Sequence, residues 1–497
     1  MASDELRLDP IYSENMIIPA NKPFKISGLA VSNTDVYIEI DDQVLRTTSD
    51  DSGNWVVSVA PIDTNVKTTL KVKSLDDQLT VKNVQTGQVI LLTGQSNIEY
   101  EFKNDCEYQE QVNDIDFKDS YYINIPKLEY QDEKQTLPDD LLTPSWKMVK
   151  DTTVGSLSAV GYWMLKRIKQ IHPNQVVGII DCYKGGTSAS SWVPEEVLQN
   201  DALLVSTFIE PFHKAVDKKT EDDFKEELSA YYAKVDDHNT KLDAFTKKYP
   251  EVSLSDAKDK VGHTPWPPPM TNTSFLRPNG LYHTMIEKIK NYSFNKVVWY
   301  QGENDAPNPE VYEKLLYGLI ISWRKLFKDN SLPFYVVQLP GYFDEPKDSW
   351  AKIRQSQLSV VQRIGDVHLV SIADTGDKHN IHPESKRVAG TRLGDIISGI
   401  QYSDTPTIYK QEVVSEGLLL FAKNAVTLSI KGNAYMLIRN NQQWIKQEVY
   451  VLGDTIMIPN AKQAIEIRYE YKNHPQCTIF NEYGAPLAPF EMKVGRN

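Results

Sequence analysis

A serine stands where an apolar run gives way to a turn: Val89-Ile-Leu-Leu-Thr-Gly-Gln-Ser-Asn97 reads as a buried strand that ends in Thr-Gly and sets Ser96 at its exit. Other apolar runs end in the same fashion. Val176-Val-Gly-Ile-Ile180 leads to Lys184-Gly-Gly-Thr-Ser188, Lys296-Val-Val-Trp-Tyr300 to Gln301-Gly-Glu-Asn-Asp305, and Val367-His-Leu-Val-Ser-Ile372 to the loop holding His379-Asn-Ile-His-Pro383. Acyl transfer needs a nucleophile, a base to take its proton, and two or three donors around the developing oxyanion. Ser96 is the candidate nucleophile and His382 the base. The N–H of Ser96 or a neighbour, the N–H of Gly186, and a side-chain amide from Gln301 or Asn304 would surround the oxyanion. Glycine suits the second position because a bare backbone approaches substrate closely. Singly these signals are weak: Ser96 also reads as a helix N-cap, Gly-Gly-Thr as an ordinary turn and His-Pro as a capped loop. Their conjunction carries the argument.

The elements that must hold these residues alternate between helix and strand. Helical spacing runs from Ser158 to Ile168, begins again at Leu281, and recurs from Val311 to Phe327, Asp348 to Ile364 and Lys386 to Ile400. Helices between short β-branched runs predict a parallel α/β sheet, whose strand exits all lie on one edge. Residues 1–84 show period-two alternation, as in Val36-Tyr-Ile-Glu-Ile40, with turns such as Ser49-Asp-Asp-Ser-Gly53, and predict a small β-sandwich. The α/β unit then spans 85–402, and alternation returns over 403–497 as a second β unit. Within the α/β unit, residues 195–262 are helical and highly charged, a pattern that usually marks a solvated face. The rigid Pro265-Trp-Pro-Pro-Pro269 loop follows, and its Trp266 either lines a sugar site or simply packs.

Composition narrows the function classes. At 497 residues the chain exceeds one hydrophobic core. A net charge of −13 argues against nucleic acid or an anionic membrane surface as partner. The 3 cysteines, Cys106, Cys182 and Cys477, are too far apart for a metal knuckle and leave at least one thiol unpaired. No basic n-region with an apolar stretch opens the sequence and no membrane-length apolar run follows, so the expectation is a soluble protein, cytoplasmic unless a leader has been removed. Nothing in the sequence fixes an oligomeric state, and a homo-oligomer stays open.

Taken together, Thr93-Gly-Gln-Ser-Asn97, Gly185-Gly-Thr187 with Ser191-Trp192, Trp299-Tyr-Gln-Gly-Glu-Asn304, and Ile381-His-Pro383 with Lys386 and Arg392-Leu393 resemble the blocks of the sialate O-acetylesterase group of SGNH hydrolases. The resemblance covers about 83–400, and the amino-terminal β region is also similar to the family's. It implies a flavodoxin-like three-layer α/β fold, flanked by an N-terminal β-sandwich and a C-terminal β unit. It also implies hydrolysis of acetyl esters on sugars, sialic acids first among them, through an acyl-serine intermediate without metal or cofactor. Ser96 and His382 carry over as the catalytic pair and Gly186 as an oxyanion donor. Gln301 occupies the third block's glutamine position, while Gly302-Glu-Asn-Asp305 also reproduces the Gly-x-Asn-Asp of the wider superfamily, so Asn304 competes with it. Gln95, Glu303 and Trp266 are the candidate substrate contacts. One departure concerns the acid. The superfamily often has Asp three residues before the histidine, and here that place is His379, followed by Asn380. Asp377 is the preferred orienting carboxylate, with Asp374, Glu303 or a backbone carbonyl as alternatives.

The partner expected is therefore a small acetylated sugar or oligosaccharide. An acetylxylan or other oligosaccharide esterase is the near alternative. A non-catalytic carbohydrate-binding protein on the same fold is the alternative from another class, favoured by the missing Asp. A lipid or thioester hydrolase would want an apolar acyl channel, which tyrosine-rich flanking loops do not predict.

Overall fold

The computed structural model describes residues 5–113, 115, 117–128, 144–401, 403–441 and 443–495. Its central sheet joins, edge to edge, Lys147–Met148, Ser120–Asn124, Val177–Tyr183, Asp77–Gly94, Lys296–Tyr300, Phe334–Gln338 and Val367–Ser371. Every neighbouring pair is parallel except the first. With Lys147–Met148 and the neighbouring Ser120–Asn124 set aside, the remaining parallel strands run 2-1-3-4-5 in chain order. The order therefore reverses beside Asp77–Gly94, and the crevice outside the carboxyl ends of strands at such a point is where open α/β sheets bind ligands. Gly94 lies level with both Tyr183 and Tyr300, so three strand exits meet there.

Helices cover both faces of the sheet. Trp299 packs edge-on to Trp323 of helix Tyr312–Phe327, with ring centroids 5.8 Å apart. Lys296, three residues earlier and so on the opposite face, donates to the Ile397 carbonyl of helix Arg387–Ile397 at 3.2 Å. That helix meets Ala159–Ile171 closely: a Cβ on Gly390 would lie 2.4 Å from the Trp163 Cβ. Strands Val177–Tyr183 and Phe334–Gln338 are buried at every residue, which explains their near-continuous apolar runs. The α-helix expected from Leu281 is instead a π turn, Tyr282–Ile286, and a 3-10 turn, Glu287–Ile289. Thr284 there donates its hydroxyl to the carbonyls of Leu128 and Gly280, competing with regular helical pairing.

At the amino end, Arg7–Leu8, Phe24–Leu29 and Asn54–Val59 form one small sheet. Asp35–Ile40, Gln43–Thr48 and Lys67–Ser74 extend the main one. The strand Asp77–Gly94 serves both regions: its first half pairs antiparallel with Lys67–Ser74 and its second half lies in the parallel sheet. The division expected between 84 and 85 thus falls inside one unbroken strand, and one apolar cluster runs from Leu6 to Ile397 across it. The carboxyl end forms antiparallel sheets over a separate cluster that borrows Leu358 and Leu369 from the α/β part. Among the described residues no helix is long and apolar enough to cross a membrane.

Candidate active site

The position of the candidate nucleophile follows from one glycine. Gly94 has φ +137°, and a Cβ there would sit 2.1 Å from the Tyr300 carbonyl oxygen, so the two strand ends can close only around a bare Cα. The Gln95 N–H then donates to that same carbonyl at 3.2 Å, and Ser96 opens a helical turn, Ser96–Glu99. The Ser96 Oγ lies 2.7 Å from Nε2 of His382, which arrives from 286 positions further along the chain.

His382 has unusual company for a base. Burial first, then the charges of Lys386 and Lys258, push its pKa down from 6.5 to about 4. Among the described residues no carboxylate bonds to the ring. The expected role of Asp377 is therefore corrected: its carboxylate accepts from the Ser255 hydroxyl and, at 3.2 Å, from the His379 N–H. Asp374 is held by Arg392 in a two-pronged pair at 2.6 and 2.7 Å. Glu303 is 3% exposed, and its Oε1 accepts from Asn97 Nδ2 at 2.6 Å while Oε2 has no partner. Burial raises the Glu303 pKa, opposed by Asn97 and by the positive charge of Lys386. Glu303 thus faces the interior, not the substrate as expected. Asn97 completes a bridge behind Ser96 and His382: its Oδ1 accepts from Lys386 Nζ at 2.7 Å, and its Nδ2 also donates to the Ile381 carbonyl at 3.0 Å.

The oxyanion side is built from the other strand exits. A Cβ on Gly185 would approach the Ser96 Cβ to 3.4 Å, so the Lys184-Gly-Gly turn lies against the nucleophile, and Gly186 has φ +72°. Gln301 is fully buried and its Nε2 is committed to the Thr187 carbonyl at 3.0 Å and Asp305 Oδ2 at 2.6 Å. That removes Gln301 from the candidate oxyanion donors. Asn304 stays open: its N–H donates to Gln95 Oε1 at 3.2 Å, its Oδ1 accepts from the Trp266 indole N–H at 2.9 Å, and its Nδ2 has no partner among the described residues. Gln95, expected to contact substrate, is 3% exposed and props the Asn304 turn instead. Trp266 does face solvent, at 50% exposure, with its ring laid against Gly186. Asp305 fastens the wall. It accepts from Ser188 Oγ at 2.6 Å, the Ala189 N–H at 2.9 Å and Gln301, which together counter the rise in pKa that burial causes.

The charged insertion divides in two. Helix Glu221–Lys248 buries only Phe224 and His238, as a solvated helix does. Helix Leu254–Val261 and the loop after it reach the site: Ser255 bonds Asp377, Lys258 Nζ donates to Asn380 Oδ1 at 2.8 Å, and His263 Nε2 lies 2.9 Å from Asp344, which also holds His379 at 2.8 Å. The sequence offers no signal for Lys258 amid so many charges. Asn97 and Lys386, by contrast, lie within the blocks already singled out. Among the described residues, Asp105, Cys106 and Glu107 present the group of potential metal ligands. Asp105 there is already engaged by Trp163, the Glu107 N–H and the Lys386 N–H.

Comparisons with known proteins agree on a family. Residues 241–398 match the family model described as carbohydrate esterase, sialic acid-specific acetylesterase. The rat sialate O-acetylesterase (Rattus norvegicus) is 20% identical over 254 residues, 43% of this chain and 47% of its own length. That of mouse (Mus musculus) is 21% identical over 267 residues, 46% of this chain and 49% of its own length. The chain thus spans about half the length of the curated relatives it matches. A carbohydrate acetylesterase from Xanthomonas citri superposes with a TM-score of 0.74 over 98% of this chain and 99% of its own, at 19% identity, which shows a shared fold. Residues 241–398 are thus similar to the sialate O-acetylesterase family of carbohydrate esterases, and the quoted blocks lie on one edge of a fold shared with a carbohydrate acetylesterase.

Proposed function

We propose that this protein is a serine esterase that removes O-acetyl groups from sugars, above all from O-acetylated sialic acids, on an SGNH-type three-layer fold flanked by two β units. The observation that carries the reading is the 2.7 Å contact between Ser96 Oγ and His382 Nε2 at the reversal point of the sheet. A histidine whose pKa is pushed down to about 4 is neutral at physiological pH and free to accept a proton. Nε2 takes the Ser96 proton as Oγ attacks the acetyl carbonyl. The tetrahedral oxyanion meets the N–H groups of Ser96 and Gly186 and the Nδ2 of Asn304. The imidazolium returns its proton to the departing sugar oxygen, and water releases acetate from the acyl-serine by the same steps. With no carboxylate beside the ring among the described residues, the pair acts as a dyad. The positive charge of Lys258 does not stabilise the imidazolium, so strong oxyanion donors matter more here than in a triad.

A second observation favours an acidic sugar over neutral xylan. Lys184, whose Nζ sits 4.6 Å above the Phe275 ring, and Lys258 flank the site without an ion pair among the described residues. The test is turnover of a chromogenic acetate ester by wild type and Ser96→Ala. Activity lost on substitution supports acyl-serine chemistry, whereas no activity in either points to a carbohydrate-binding role. Comparison of acetylated sialic acid with acetylated xylo-oligosaccharide then decides the substrate.

A further inference from the structure

Asn304 stands just beyond the exit of Lys296–Tyr300, bonded to the indole that covers Gly186, and a primary amide is nearly symmetric in shape and serves as an oxyanion donor only if its nitrogen end faces the substrate. We infer that Trp266 is the positioning residue that makes this choice. The inference rests on the esterase reading above. An indole N–H can donate and never accept, so its 2.9 Å bond to Asn304 fixes the oxygen end toward Trp266. The nitrogen end is thereby turned away and has no partner among the described residues. A second bond, from the Asn304 N–H to Gln95 Oε1 at 3.2 Å, holds the backbone of the same residue, while the indole bond holds its amide.

Trp266 is itself held. Its Cη2 would be 2.2 Å from a Cβ on Gly186, so the ring rests on the bare backbone of the other oxyanion element. Phe275 lies 6.2 Å away between centroids, and the preceding Pro265 carbonyl accepts from the Tyr231 hydroxyl at 2.9 Å. Tyr231 belongs to helix Glu221–Lys248. The outer helix of the charged insertion therefore acts on the reaction centre through one hydrogen bond to the loop that carries the indole. Trp266 touches both oxyanion elements while contributing no donor to the oxyanion itself.

The experiment is a double-mutant cycle on kcat for a chromogenic acetate ester, with thermal midpoints checked for each variant. Asn304→Ala should lower kcat about 100-fold, as loss of one oxyanion donor does. Asn304→Asp, which still accepts from the indole but offers no donor, should fall as far. Trp266→Phe keeps an aromatic ring in the loop and removes the N–H together with the outer-ring carbons that lie against Gly186. It should lower kcat about 10-fold with KM little changed. Trp266→Phe placed on Asn304→Ala should cost nothing further. Additive losses, or a Trp266→Phe effect confined to KM, would overturn the positioning role while leaving the esterase intact. An inactive wild type, or an active Ser96→Ala, would instead remove the reading on which it rests.

Discussion

The two sides of the site are built on different terms. On the oxyanion side every group stands within a few residues of a strand exit, and a buried carboxylate, Asp305, ties two of those exits together through Ser188, Ala189 and Gln301. On the base side His382 stands eleven positions beyond the end of Val367–Ser371, in a loop with no regular structure. Its tethers come from elsewhere: Lys258 to Asn380, Ser255 to Asp377, Asn97 to the Ile381 carbonyl, and Asp105 to the Lys386 N–H. The first side is fixed by the sheet itself and the second by long-range bonds. Positional precision on the base side is thus distributed over several weak contacts, and no single one should be indispensable except the imidazole.

Substitutions can widen or erase that contrast. His382→Ala should lower kcat by about 1,000-fold or more with the fold intact, measured as single-turnover acetate release against the thermal midpoint. Asp305→Ala should act mainly on stability, because three donors lose their acceptor in a dry setting. A loss of about 3 kcal/mol in urea unfolding is expected, and a value near zero would mean that the oxyanion side is not held as described. Lys258→Met should move the acid limb of the kcat/KM profile. In the wild type that limb should lie near 4, since burial, Lys386 and Lys258 all disfavour the imidazolium. Removing one positive charge favours protonation, so the limb must shift upward, and a downward shift would contradict the electrostatics. Asp377→Ala should have the smallest effect, under about 10-fold in kcat, because the carboxylate bonds Ser255 and the His379 N–H and not the base. A loss as large as that of His382→Ala would restore Asp377 as the orienting acid.

The same contrast explains what the sequence makes legible. Strand exits are local: an apolar run, a glycine and a polar residue within six positions suffice to mark Ser96, Gly186 and Asn304. Gln301 shows the limit of that reasoning. Its position in the block is conspicuous, but whether its amide faces the oxyanion or Asp305 depends on a neighbour four residues on and on the Thr187 carbonyl of another strand exit. The absence of Asp three residues before His382 is legible as well. What replaces it is not, because Lys258 looks like any other charge in its helix until the fold brings it to Asn380. Nearness in sequence favours Asp377, yet Ser255, 122 positions earlier, holds it instead. The division at 84 fails to describe the chain for a related reason: period-two alternation before it and an apolar run after it look like two strands, yet both lie on Asp77–Gly94.

That shared strand makes the amino-terminal region more than an appendage. Trimming the chain at residue 84 would sever a continuous backbone ladder and uncover Val89, Ile90 and their neighbours, which are wholly buried. The raw edge so created would offer itself to any passing strand. Catalytic fragments of this protein should accordingly be designed to begin ahead of Ile17, which lies parallel to the same ladder, if they are to stay monodisperse.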